Sequence, residues 1–155
     1  MSSNRKFERP SFLPREVTQA KYDYWLRRKS LAHARRDRKR GNSTATVAAY
    51  KQAIHIAVCC SEGRDSYTGE ELNWTLISKY DNESSKQQRR AYKAQFALLP
   101  TVDHVGDGLG PADFRICAWR TNDAKNDLPY DEFLGLCQRV IAHSLKEDKH
   151  ATEAS

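Results

Sequence analysis

Between Thr101 and Asn126 the residue pattern changes character three times, and that order restricts the fold more than any other stretch of the chain. Thr101-Val102-Asp103-His104-Val105 is a short β-rich run, and Gly106, Gly108 and Gly110 before Pro111 are too closely spaced to continue it. Phe114 to Trp119 predicts a second short strand, antiparallel to the first, and a helical turn should open around Asn122. Pro129 then starts a helix carrying Phe133, Leu134, Leu136, Cys137, Val140 and Ile141. The expected class is α+β, with a small two-stranded element followed by a helix.

Upstream, Pro14 can open a helix in which Val17, Ala20, Tyr24, Leu31 and Ala34 form a narrow apolar stripe, stopped by Gly41-Asn42. A second, more buried helix should start from a cap at Ser43 or Thr44 and run through Val47, Tyr50, Ile54, Ala57 and Val58. Ser66 to Leu72 suggests a short extended element, and Asn73 to Tyr80 a short helix or strand. Asp81 to Arg90 reads as a loop or a solvated helix start, before Tyr92, Phe96, Leu98 and Leu99 return apolar mass to the core. The expected organisation is a flexible lead over 1–13, a basic helical arm over 14–60, a second domain over 61–145 and a frayed tail from 146.

Charge separates the first sixty residues from the rest. The net charge is +6, but residues 1 to 60 sum to +10 and residues 61 to 155 to −4. The excess peaks at Lys21 to Arg40, a footprint for a polyanion. Arg27, Arg28, Lys29, Arg35, Arg36, Arg38, Lys39 and Arg40 are the candidate phosphate contacts, interleaved with Tyr22, Tyr24 and Trp25; a solvated basic surface is the plainer alternative.

At 39% apolar and 30% charged residues the chain suits a globular rather than a disordered protein, and no stretch approaches the roughly 20 apolar residues of a membrane span. Met1 to Pro10 has no apolar signal-peptide core, so an intracellular, cytoplasmic location with no membrane partner is expected. Cys59, Cys60, Cys117 and Cys137 contain no CxxC pair and read as buried free thiols, with no structural zinc.

The hairpin region also concentrates reactive groups. His104 has the side-chain type that is partly neutral near pH 7 and can take a proton from water. Asp103 and Asn122 offer hard oxygen ligands of the kind Mg²⁺ or Mn²⁺ takes, and Lys125 can meet a phosphate as a point charge. Adjacent side chains on an ideal strand point to opposite faces, so Asp103 and His104 converge only if the strand ends or twists there.

Asp103-His104 with its loop, then Asp113-Phe114-Arg115-Ile116-Cys117 and Asn122-x-x-Lys125, resembles the HNH (His-Me finger, ββα-metal) endonuclease superfamily. The resemblance covers roughly Tyr67 to Val140. It implies a ββα-metal finger in which His104 is the general base, Asp103 and Asn122 hold the metal, and Asp113 stands where the family has a loop-bracing asparagine. Asn126, four residues after Asn122, is a reserve ligand. Arg115 and Arg120 are surface charges or phosphate contacts, while Trp119 and Phe114 read as core, and His33, His55, His143 and His150 as structural or solvated.

The resulting expectation is a metal-dependent endonuclease acting on duplex DNA, with double-strand scission needing a homodimer or two nicks. The alternatives are a nucleic-acid-binding protein with a degenerate finger, or the same chemistry used as a toxin or defence effector.

Overall fold

The computed structural model describes residues 5–154 and is α+β, with six α-helices and one two-stranded antiparallel sheet among them. Helix α1 spans Gln19–Lys39 and α2 spans Val47–Ser61. A 3-10 turn at Trp74–Ser78 precedes two short helices, α3 (Asn82–Gln88) and α4 (Arg90–Gln95). Strands β1 (Pro100–His104) and β2 (Phe114–Ala118) follow, then α5 (Trp119–Lys125) and α6 (Tyr130–Glu153). The chain divides into two compact units, Met1–Asp123 and Ala124–Ser155.

Local sequence explains the helix starts. Thr18 and Thr46 cap α1 and α2, their side chains accepting from Lys21 N–H and Ala49 N–H, and Asp81 caps α3 through Glu83 and Ser84 N–H. The α2 cap therefore lies two residues beyond Thr44. Helix α2 buries Tyr50, Ile54, Ala57 and Val58, the stripe its spacing predicts.

Only part of the expected stripe is buried: Val17 and Ala34 lie in the core and Leu31 is half-buried. Tyr22, Trp25, Leu26, Ser30, His33, Ala34 and Asp37 face inward, whereas Ala20 and Tyr24 are exposed. Trp25 meets Trp74 edge-on at 5.5 Å, so an aromatic pair displaces the smaller apolar residues from the buried face. One core cluster joins residues of α1, α2, β1 and β2, including Leu26, Ile54, Val102, Phe114 and Ile116. The boundary expected at 60/61 is consequently absent: the basic helix is part of the body that holds the hairpin.

The lead is also anchored where it is described. The Arg9 guanidinium donates to the carbonyls of Val17 (2.5 Å), Leu13 (2.7 Å) and Pro14 (3.1 Å), and Leu13 is buried; residues 1–4 lie outside the described residues. The expected fraying from Lys146 is likewise replaced by helix to Glu153. All four cysteines are free, but Cys59 and Cys60 are exposed rather than buried. In the second unit α6 buries none of its residues, and Leu134, Leu136, Val140 and Ile141 remain exposed.

Candidate active site

The hairpin pairs His104 with Phe114 and Asp103 with Arg115, and the strand is regular through both residues. Alternation therefore sends the two side chains to opposite faces. The twist that would make them converge does not occur.

On one face, His104 meets a buried carboxylate from α1. Its Nε2 lies 2.6 Å from Asp37 Oδ2, and the same oxygen accepts from the Tyr50 hydroxyl at 2.5 Å. Asp37 is fully buried, and its Oδ1 has no hydrogen-bond partner among the described residues; Arg36 Nε is 3.5 Å away. The His33 ring lies 4.8 Å from that of His104, the Phe114 ring 4.9 Å, and the Arg36 guanidinium meets the imidazole at Nδ1. Helical spacing explains how one element supplies three of these groups, since residues 33, 36 and 37 share a face of α1.

The glycine loop is shaped by this carboxylate. Gly108 has a positive φ of +79°, and a Cβ there would come within 3.0 Å of Asp37 Oδ1, so both conformation and space require glycine. Asn42, buried in the α1–α2 connection, donates through Nδ2 to the carbonyls of Gly108 (2.9 Å) and Gly110 (3.1 Å). Loop bracing thus falls to Asn42. Asp113, expected in that role, has an exposed side chain, and its backbone carbonyl accepts from Val105 N–H at 3.0 Å.

Electrostatics favour an ionised Asp37 beside a neutral His104. Burial lowers the His104 pKa, opposed by its hydrogen bond to Asp37 and reinforced by the Arg36 charge. Burial alone acts to raise the Asp37 pKa, but hydrogen bonds from Tyr50 and His104 outweigh it, and the carboxyl lies below its ordinary value. The Tyr50 hydroxyl is pushed up to about 12, by burial first and then by Asp37. His33 falls to about 3, mainly through burial, with the Arg36 charge next.

The opposite face is a structural network. Asp103 is buried and accepts from the Tyr67 hydroxyl at 2.5 Å. Burial and the bond to Asp103 raise the Tyr67 pKa. Asp65 beside it gathers the Thr121 hydroxyl (2.6 Å), Ala118 N–H (2.8 Å) and Tyr67 N–H (2.7 Å), fixing the start of α5 to the turn before it.

The remaining residues fall as follows. Asn122 lies on α5 and is half-buried. Lys125, at the end of the same helix, is buried and so is not a solvent-facing phosphate contact. Asn126 has φ +52° just past the end of α5, which removes it from the helical face that would have made it a ligand. Arg120 pairs with Glu70, and Arg38 donates through Nε to Ala45 O at 2.5 Å. Lys29 is half-buried, while Arg27, Arg28, Arg35, Lys39 and Arg40 remain exposed on or just beyond α1.

Asp103 and Asn122 have suitable hard-oxygen chemistry for Mg²⁺ or Mn²⁺, but Asp103 faces Tyr67 rather than His104, and among the described residues no three His, Cys, Asp or Glu groups form a metal site. Asp103 and Asn122, the ligand pair the resemblance implies, therefore do not fit a cation placed beside His104. Asp37 and His33 are the functional candidates the residue pattern missed. Their signal was positional: Ser30, His33 and Asp37 continue, at spacings of three and four, the buried stripe that begins at Tyr22 and Leu26.

No protein-family model, curated protein or solved structure matches this chain. No helix among the described residues is long and apolar enough to cross a membrane.

Proposed function

We infer that the protein is a phosphodiester hydrolase acting on nucleic acid, with His104 as general base and Asp37 as the group that orients it. The observation that carries this reading is the 2.6 Å contact between His104 Nε2 and the buried Asp37 carboxylate. A carboxylate at Nε2 selects the tautomer with its proton there, which leaves the Nδ1 lone pair to take a proton from water. The lowered His104 pKa keeps that lone pair available at neutral pH.

Arg36 gives the same edge a second task. Its guanidinium covers Nδ1, and an incoming phosphodiester offers it a stronger, charged acceptor. Transfer of Arg36 to the phosphoryl oxygens uncovers the base and places positive charge where the transition state gains negative charge. Exposed Arg27, Arg28, Arg35, Lys39 and Arg40 extend that positive surface along the helix.

The HNH resemblance agrees in making His104 the base, and it implies DNA as substrate, a 5′-phosphate product and a Mg²⁺ or Mn²⁺ requirement. The proton-transfer step above uses only groups of the chain. Double-strand scission by one such centre needs a dimer or two successive nicks. Purified protein is expected to cut plasmid and single-stranded DNA with Mg²⁺ or Mn²⁺, chelator serving as the control for that requirement, and His104→Ala to bind without cutting. Intact substrate under every condition, with binding retained, overturns the enzyme reading in favour of a binding module.

A further inference from the structure

A groove of about 480 Å³ lies along α1, between that helix, the segment following the 3-10 turn and the start of β1. Its size suits one nucleotide unit. Tyr80 and Trp119 supply ring surface on one side, meeting edge-to-face at 5.4 Å, while Arg28, Lys29 and Arg35 supply cations from α1. Among the described residues no aspartate or glutamate lines it, which matches an anion rather than a basic peptide.

Lys29 is the unusual member. Its ammonium has one long hydrogen bond, 3.5 Å to Thr101 Oγ1, and burial lowers its pKa to about 8, with the Arg28 charge adding to the effect. A phosphate there would offset the cost of burying the ammonium charge. Lys29 also stands one turn before His33, whose ring contacts that of His104, so the groove lies roughly 6 Å along the helix from the His104 cluster.

We propose that this groove binds an unpaired nucleotide of a single-stranded segment, the base against Tyr80 and Trp119 and its phosphate against Lys29, Arg28 and Arg35. The proposal rests on the reading of nucleic acid as substrate and sharpens it: the strand presented to His104 is unpaired next to the cut. A base inside a duplex is stacked and paired, and entering the groove would require flipping it out. Aromatic stacking accepts any base, so this subsite selects strandedness rather than sequence.

Fluorescence anisotropy with a labelled 12-mer single strand and a hairpin duplex tests the idea, using the full chain with folding checked by circular dichroism. The single strand is expected to bind more tightly than the duplex, and Trp119→Leu to weaken it roughly tenfold with little change for the duplex. Lys29→Met should lower the salt dependence of single-strand binding by about 0.7 in log–log slope, the loss of one phosphate contact. If Trp119→Leu does not fold, Tyr80→Leu replaces it and is expected to weaken the single strand selectively. Equal affinity for both substrates, unaltered in all folded variants, overturns the proposal, as does full competition by free dTMP at equal nucleotide concentration. Plasmid cutting that persists with groove variants binding like the parent removes the groove and leaves the His104 reading intact. Groove-dependent binding with no cutting by the unmodified protein does the reverse.

Discussion

The two faces of β1 make a controlled comparison, because Asp103 and His104 are adjacent in sequence and end in different chemistry. Asp103 enters a network with Tyr67, where a hydroxyl satisfies a buried carboxylate beside the Asp65 hub. His104 meets Asp37, with one carboxylate oxygen lacking a hydrogen-bond partner among the described residues, a cation at the imidazole edge and partial exposure to solvent. A satisfied network fixes structure, whereas His104 keeps an edge that is not fully enclosed. On the reading proposed above, the His104 face carries the chemistry and the Asp103 face the anchoring.

Substitutions on the two faces should separate rate from stability. The largest expected effect is on cleavage by His104→Ala, a loss of about 10²–10⁴-fold per folded molecule, with a lower melting temperature because buried Asp37 loses a donor. Steady-state cutting and a thermal melt check this, and a fully active variant would remove His104 from the mechanism. Asp37→Asn should reduce cleavage by roughly 10–100-fold through loss of orientation, with the pH profile altered as well as the maximum rate. A purely structural Asp37 would instead lower stability and leave the profile of the folded fraction unchanged.

Smaller effects sharpen the contrast. Tyr67→Phe should cost about 1–3 kcal/mol of stability, by removing a donor from buried Asp103, while the folded protein cuts at the parental rate. Chemical denaturation with parallel activity assays distinguishes this from a role in catalysis. The pH dependence of stability follows from His33. Its folded pKa of about 3 lies below the ordinary value, so the folded state keeps it neutral while the unfolded chain takes up a proton. Stability should therefore fall as pH drops from about 6.5 toward 3. The lowered pKa values of His104 and Asp37 act in the same direction. His33→Phe should flatten the upper part of that acid limb, and an unchanged limb would place the sensitivity elsewhere.

The hairpin and α2 were legible because their signals are local. β-branched and aromatic runs flank a glycine loop, and Tyr50, Ile54, Ala57 and Val58 repeat at helical spacing. The buried face of α1 was not, because its apolar residues are interrupted by Ser30, His33 and Asp37, polar residues that look solvent-directed until their partners are known. Helix α6 forms directly after Pro129, as its pattern predicts, and shows the opposite limit. Its apolar stripe is plain in sequence, yet none of its residues is buried in the described structure. Periodicity reports which residues share a face, and packing decides whether anything covers it.

The sequence by itself determined the α+β class, the hairpin, the concentration of positive charge on α1 and the candidacy of His104, since these rest on propensity, glycine geometry and side-chain chemistry within short stretches. Only the tertiary structure decided which carboxylate serves His104. Asp103 is one residue away and faces elsewhere, while Asp37 is sixty-seven residues away and lies 2.6 Å from it. Strand alternation forbids the first pairing, and packing of α1 in the same core as the hairpin creates the second.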